Sequence, residues 1–272
     1  MVDGLNSVVS IIIPFFNHIV DTKRCLKSIF ESGIANGAYK YKIILVDDFS
    51  SDKYDFIEEQ KLLPINLFLN EENLGFAKTC NNGAKEANGK YLIFLNNDTI
   101  ALNGWLEQLL TVFENNSDVG VVGSKLLYPD NSIQHAGVAF NDDNMPFHIY
   151  QHFPSSFPGV NQLREFQAVT GACLMIEREL FNYLGGFDED YLNGLEDIDL
   201  CLRVRKAGKK ICYNPLSCLY HLEAQTRTLN IAKQRKNVEL FGKKWSDKDL
   251  CDFRKYYQED LTDDKNLPKQ LQ

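Results

Sequence analysis

The sequence predicts an α/β fold: a mostly parallel, Rossmann-like central sheet with helices on both faces. Two observations lead there. Four short, largely apolar runs rich in β-branched residues (Val8–Ile13, Lys42–Val46, Ile65–Leu69 and Tyr91–Leu95) alternate with segments of helical spacing, the pattern of strand–helix–strand crossovers. The last three of those strands run into polar clusters: Asp47-Asp48, the Asn70–Gly75 loop and Asn96–Asp98. Parallel strands share a carboxyl edge, so these clusters should meet in one cleft, where open α/β sheets bind ligands.

The elements follow in order. Val20–Glu31 carries Cys25, Leu26, Ile29 and Phe30 at helical spacing and stops at Gly33. Tyr54–Leu62 reads as a helix, as do Phe76–Ala87, closed by Gly89, and Trp105–Glu114. Val119–Leu127 and Ile133–Phe140 are strand-like. Asp142–Arg164, with three Pro, His148, His152 and several aromatics, reads as a long irregular loop and an acceptor-side lid. Gln167–Ile176 reads as a strand, Glu177–Leu184 as a helix, and Glu196–Ala207 as a helix ended by Gly208. A short strand, Lys210–Tyr213, precedes Pro215, and Asn230–Trp245 is helical.

Composition narrows the function. The chain has 272 residues, 44% of them hydrophobic, enough for a sizeable core. Net charge is -8 and the basic residues are scattered, which excludes a nucleic-acid footprint. An acidic protein with an anionic substrate must neutralise it locally, which favours a metal ion. The seven Cys include no CxxC pair, and Cys25, Cys80, Cys173 and Cys201 sit in apolar patterns. They read as buried, reduced thiols of a cytoplasmic protein, without zinc-site spacing. Met1–Ser7 is polar without a basic start, so no signal peptide is expected. No apolar run approaches the length of a membrane span.

Several constellations can carry chemistry. Asp98, at the end of a buried strand, suits a divalent cation held against a phosphate; a polar turn capping the next helix accounts for the same residues. Asp47 is placed to accept hydrogen bonds from a base or ribose, or simply belongs to an Asp- and Ser-rich turn. Gly75 lets backbone approach a ligand at a helix amino end, with Asn81 one turn on. Glu196-Asp197 opens a helix, where acidic residues also favour the dipole; in a cleft, one carboxylate would take a proton from a hydroxyl nucleophile. His221 beside Asp98 would suit Mn²⁺; alone it reads as a structural histidine, and His135 more so.

Taken together, these segments resemble family 2 glycosyltransferases, the large inverting family with the GT-A fold. The matches run in order. They are Val9–Asn17 with Pro14 and Phe15; Val46–Asp52; Asn73-Leu74-Gly75-Phe76-Ala77 with Asn81 and Gly83; Phe94–Thr99; Thr170-Gly171-Ala172; Gly185–Asp188; Gly194–Arg203; and His221. The resemblance spans roughly residues 7–245, and each motif alone is weak.

It implies roles residue by residue. Pro14, Phe15, Asn17 and Asp47 would line the nucleotide pocket, with Asn73, Gly75, Asn81 and Asn97. Asp98 and His221 would hold Mn²⁺ or Mg²⁺, and Asp197 would be the catalytic base, with Glu196 beside it. Thr170 and Gly171 would border the sugars. The first acid of the Asp-x-Asp motif is Asn96 here, so the site carries fewer negative ligands. The implied domain is 1–245, with a nucleotide-binding half (about 1–100), an acceptor half (about 101–245), and an extension, 246–272.

The implied partners are a nucleotide diphosphate sugar, UDP- or dTDP-linked, and a glycan or lipid-linked acceptor in cell-surface polysaccharide synthesis. Lys243, Lys244, Trp245, Phe253, Arg254, Lys255, Tyr256 and Tyr257 suit peripheral contact with anionic lipid at the inner face of the membrane, or a helix packed on the catalytic domain. Two rival functions are a sugar-phosphate nucleotidyltransferase, for which Pro14–Asn17 offers no Gly- and Lys/Arg-rich phosphate loop, and a non-catalytic glycan- or sugar-nucleotide-binding module.

Overall fold

The computed structural model describes residues 9–34, 39–222 and 231–261. The polar start Met1–Ser7, Val8, Asn230 and the end of the extension, 262–272, lie outside them.

The first half is the expected alternation: β1 (Val9–Phe15), α1 (Ile19–Glu31), β2 (Tyr41–Asp47), α2 (Ile57–Leu62), β3 (Ile65–Leu69), α3 (Phe76–Lys85) and β4 (Tyr91–Leu95). The strands lie in the order β4–β1–β2–β3 and all pair in parallel. Their near-continuous apolar runs have a physical cause. Ile12, Ile44, Val46, Leu92 and Phe94 face one core cluster, while Ile11, Ile13, Ile43, Leu45, Ile93 and Leu95 face another. Side chains alternate along a strand, and both faces are covered. On one side lie the buried residues of α1 and of α4 (Trp105–Asn115). On the other lie those of α3, α5 (Arg178–Tyr183) and α6 (Glu196–Lys206).

The second half contributes β5 (Thr99–Ala101), β6 (Val119–Leu127), β7 (Ile133–His135), β8 (Val138–Phe140), β9 (Pro146–His148), β10 (Arg164–Phe166), β11 (Cys173–Glu177) and β12 (Lys210–His221), all but β8 and β9 joining the central sheet. Beyond β4 the order is β11–β6–β12–β10. β11 is antiparallel to both of its neighbours, and β12 runs parallel to β6. β8 and β9 form a separate hairpin.

Three segments differ from expectation. The strand expected over Gln167–Ile176 begins only at Cys173, because the residues before it turn into the cleft. Ile133–Phe140 is broken at Gly137, whose φ is 110° and where a Cβ would fall 2.4 Å from the Phe166 ring. The short strand before Pro215 runs on to His221; its pairing shifts register between Asn214 and Cys218, which accommodates the proline.

Asp142–Arg164 is built into the core: Ile149, Tyr150, Phe153, Phe157 and Val160 are all buried. Its aromatics pack inward, and only its first turns reach the cleft. α7 (Ile231–Trp245) and α8 (Phe253–Asp260) close over the same face as α6 and bury Phe241, Trp245 and Tyr256. Cys25, Cys80, Cys173 and Cys201 are buried free thiols. Among the described residues no helix is long and apolar enough to cross a membrane.

Candidate active site

Two walls face each other across the carboxyl edge of β4. The first is made by a non-local pairing. β4 ends at Leu95, the chain turns through Asn96–Asp98, and β5 then pairs antiparallel with the end of β12, setting Thr99 opposite His221. The Leu222 N–H donates to the Asp98 carbonyl at 3.0 Å. His221 Nε2 consequently lies 3.1 Å from Asp98 Oδ1, with both side chains largely covered. Asn96 Nδ2 is 3.2 Å from the same ring nitrogen.

The second wall opens α6. Leu195, held at φ 72°, turns the chain into the helix, and acidic residues in its first turn match the positive end of the dipole. Asp197 Oδ1 accepts the Ile198 N–H at 2.8 Å and Oδ2 accepts the Gly171 N–H at 2.7 Å. A Cβ on residue 171 would stand 3.1 Å from that of Asp197, so Gly allows this close approach. Glu196 is buried and accepts the Gly194 N–H.

The neighbouring Thr170 donates its N–H to His135 Nε2 at 3.2 Å, and His135 Nδ1 donates to the Ser124 carbonyl at 2.9 Å. Burial holds the His135 imidazole neutral, well below the usual histidine range. Asp199, two residues beyond the candidate acids, has a structural role: it takes Arg203 at 2.7 Å, Trp245 Nε1 at 3.1 Å and Lys244 at 2.6 Å.

Between the walls lies a cleft of about 660 Å³. Of the residues singled out from the sequence, Asp98, Thr170, Gly171, Glu196, Asp197 and His221 line it. Sequence reasoning missed Gln134, Asn193 and Phe147, which line it too, as does His148, noted in the sequence only as part of the long Asp142–Arg164 segment. None stands in a recognisable motif, because each arrives through long-range packing.

The remaining sequence-derived residues lie elsewhere, with most of their polar atoms bound within the protein. Phe15 is a core residue, edge-on to Tyr54 and Phe56 at 5.3 and 5.7 Å, and Pro14 is buried in β1 opposite Val46. Asp47 Oδ1 accepts the Ser50 N–H at 2.8 Å, and its Oδ2 accepts the Tyr54 hydroxyl at 2.5 Å. Asn17 Oδ1 takes the Ser51 and Asp52 N–H groups at 2.8 and 3.2 Å, bracing the same turn. Asn17 also borders a second, shallower depression of about 580 Å³.

Asn73 donates to the Asp48 carbonyl at 3.2 Å. Gly75, at φ 80°, opens α3, where Asn193 Oδ1 accepts the Phe76 N–H at 2.9 Å. Asn81 clasps the main chain of Phe187 in both directions at 2.9 Å. Asn97 reaches Thr22 at 2.9 Å. The organiser of this side is Asp48, whose carboxylate accepts the Leu74 and Gly75 N–H groups at 2.8 and 2.9 Å. The acidic doublet was its only signal in the sequence.

The family model for glycosyl transferase family 2 matches residues 10–185. The chain belongs to that family. Among family 2 relatives, the O-antigen biosynthesis protein RfbC of Myxococcus xanthus is 32% identical over 228 residues, covering 80% of this chain and 18% of its own length. The uncharacterized protein y4gI of Sinorhizobium fredii is 30% identical over 262 residues, covering 90% of this chain and 28% of its own. The chain thus spans less than a third of these two relatives.

Two solved structures share the architecture. GalNAc-T7 with UDP, GalNAc and Mn²⁺ superposes with a TM-score of 0.68 at 19% identity, covering 97% of this chain and 58% of that one. Mannosyltransferase PcManGT of Pyrobaculum calidifontis, in complex with GDP-Man and Mn²⁺, gives 0.65 at 16% identity, covering 95% and 69%. The fold expected from the sequence, GT-A with a mostly parallel central sheet flanked by helices, is the fold observed.

Proposed function

We propose that this family 2 chain is an inverting, metal-dependent glycosyltransferase. It moves a hexosyl or deoxyhexosyl group from a UDP- or dTDP-linked sugar to a hydroxyl of a glycan or lipid-linked acceptor in cell-surface polysaccharide synthesis. The observation that carries this reading is that Asp98, Asp197 and His221, far apart in the chain, line one cleft. The relative named for O-antigen biosynthesis supports the acceptor class. The nucleotide and Mn²⁺ bound in both solved neighbours support the donor chemistry.

The donor set fits a divalent cation. A carboxylate oxygen and an imidazole nitrogen converge within 3.1 Å, a pairing suited to Mn²⁺ and tolerable for Mg²⁺. The described residues hold no group of three or more His, Cys, Asp or Glu that could bind a metal alone, so donor phosphates and water would complete the shell. When bound, the ion would draw charge from the departing diphosphate. Asp197, its carboxylate held by two N–H donors, accepts the proton of the acceptor hydroxyl. Attack from the face opposite the leaving group inverts the anomeric centre. Phe147 and Phe76 on the cleft wall offer apolar faces to a sugar ring.

Any contact with anionic lipid would run through the exposed Lys243, Arg254 and Lys255, because Trp245 and Tyr256 are buried.

The test is release or transfer of sugar from a panel of UDP-, dTDP- and GDP-sugars with Mn²⁺. Turnover of at least one donor is expected, abolished by EDTA and by Asp98→Ala. Inert donors, or pyrophosphate formed from a nucleoside triphosphate and a sugar phosphate, would overturn the reading.

A further inference from the structure

Gln134 lies in β7, outside every motif that the family resemblance covers, and it is buried at 3% exposure. It grips His221 twice. Its Nε2 donates to the His221 main-chain carbonyl at 3.3 Å, and its Oε1 lies 2.7 Å from the ring Nδ1. A main-chain carbonyl can only accept, so the amide nitrogen must face it. The amide oxygen then faces the ring, and the proton of the imidazole must sit on Nδ1. In the neutral imidazole the lone pair is thereby left on Nε2. Asn96, which directs its amide nitrogen at Nε2 from 3.2 Å, agrees with that assignment.

The consequence appears on the cleft side. A lone pair on Nε2 faces the Asp98 carboxylate at 3.1 Å. Two acceptors at that distance repel unless a cation or a proton stands between them. A fixed tautomer turns that confrontation into a cation site, since imidazole ligates through the unprotonated nitrogen while the other donates to an outer partner. Gln134 is anchored in turn: its main-chain carbonyl accepts the N–H of His148 Nδ1 at 3.0 Å. The next residue, His135, holds the Thr170 N–H at 3.2 Å. One short strand therefore reaches both walls.

We propose that Gln134 is a positioning residue: it locks His221 in the Nδ1–H tautomer with Nε2 presented to a divalent cation shared with Asp98. This rests on the glycosyltransferase reading for the identity of the cation, but the tautomer does not.

Two measurements test it. Long-range ¹H–¹⁵N correlation spectra of the metal-free protein should show His221 as the Nδ1–H form in the wild type and as a mixture, or the Nε2–H form, in Gln134→Leu. An Nε2–H wild type overturns the proposal whatever the protein catalyses. Mn²⁺ is then titrated by electron paramagnetic resonance in the presence of UDP, dTDP and GDP in turn. Gln134→Leu should weaken Mn²⁺ binding about 10–100-fold, as removal of such outer partners does elsewhere. Gln134→Glu, which keeps an acceptor facing Nδ1, should recover most of it. Equal affinity of wild type and Gln134→Leu, or equal impairment of both variants, overturns the proposal alone. Absence of Mn²⁺ binding by the wild type with all three nucleotides overturns both the proposal and the function on which it rests.

Discussion

Asp197 receives main-chain N–H groups on both oxygens, at 2.7 and 2.8 Å, which hold the carboxylate in place on the cleft wall. Asp197→Asn keeps the shape and removes the basicity. Turnover should fall about 10²–10⁴-fold, the usual contribution of a positioned base, with nucleotide affinity unchanged by calorimetry; transfer at the parental rate would exclude Asp197 as the base. His135 is a titratable group kept neutral. Its folded pKa lies well below the unfolded value of 6.5 because burial disfavours the cation. Below pH 6.5 the unfolded chain therefore takes up a proton that the folded one refuses. Stability should drop by up to about 1.4 kcal/mol per pH unit from this group until its folded pKa is reached. Urea titrations between pH 7 and 5 should show a shallower acid slope for His135→Phe than for the wild type.

Among the elements, α3 shows how tightly the layers meet. A Cβ at Gly83 would fall 2.7 Å from Ile12 Cγ2 and 2.9 Å from Val46 Cγ2, on the paired strands β1 and β2. Branched side chains in a packed sheet cannot swing aside. Gly83→Ala should therefore lose about 1–3 kcal/mol to overpacking, more than alanine's gain in helix propensity. Gly242, in α7 with nothing within 4 Å of its Cβ position, is the control: Gly242→Ala should gain up to about 1 kcal/mol. Thermal or urea unfolding of the two variants separates packing from propensity. The same contrast bears on reading the sequence. Strands β1, β2 and β4 were legible because their near-continuous apolar runs are buried on both faces, and β3 because its apolar residues dominate a short run between turns. The extent of β12 was not, since Pro215 reads as a stop and only its pairing with β6 and β5 carries the strand to His221.

At the scale of the molecule, α8 ties the end of the described chain to the cleft. Asp260 accepts from the guanidinium of Arg164 and from the Tyr150 hydroxyl, with the Arg164 and Asp260 side chains 13% and 5% exposed. Burial and the Asp260 carboxylate both push the Tyr150 hydroxyl pKa upward. At the other end of α8, Asp252 accepts the Phe140 N–H at 2.8 Å, and Phe253 meets Phe147 at 6.1 Å. The hairpin that lines the cleft is thus braced by the C-terminal helix. Asp260→Ala leaves the largely covered Arg164 guanidinium facing Glu259 at 4.0 Å and should cost up to about 3 kcal/mol, measured by urea unfolding; a change within about 0.5 kcal/mol would show that the brace carries little.

By itself the sequence determined the fold class, the order of the parallel strands' clusters and the chemistry available at each strand end, because periodicity and residue type are local properties. Tertiary structure decided what each of those groups meets. Asp47 and Asp98 both sit at the carboxyl ends of parallel strands, yet Asp47 gives its oxygens to Ser50 and Tyr54, whereas Asp98 meets His221 in the cleft. Side-chain type sets what a group can bond; only the register of strands distant in sequence sets what it finds there.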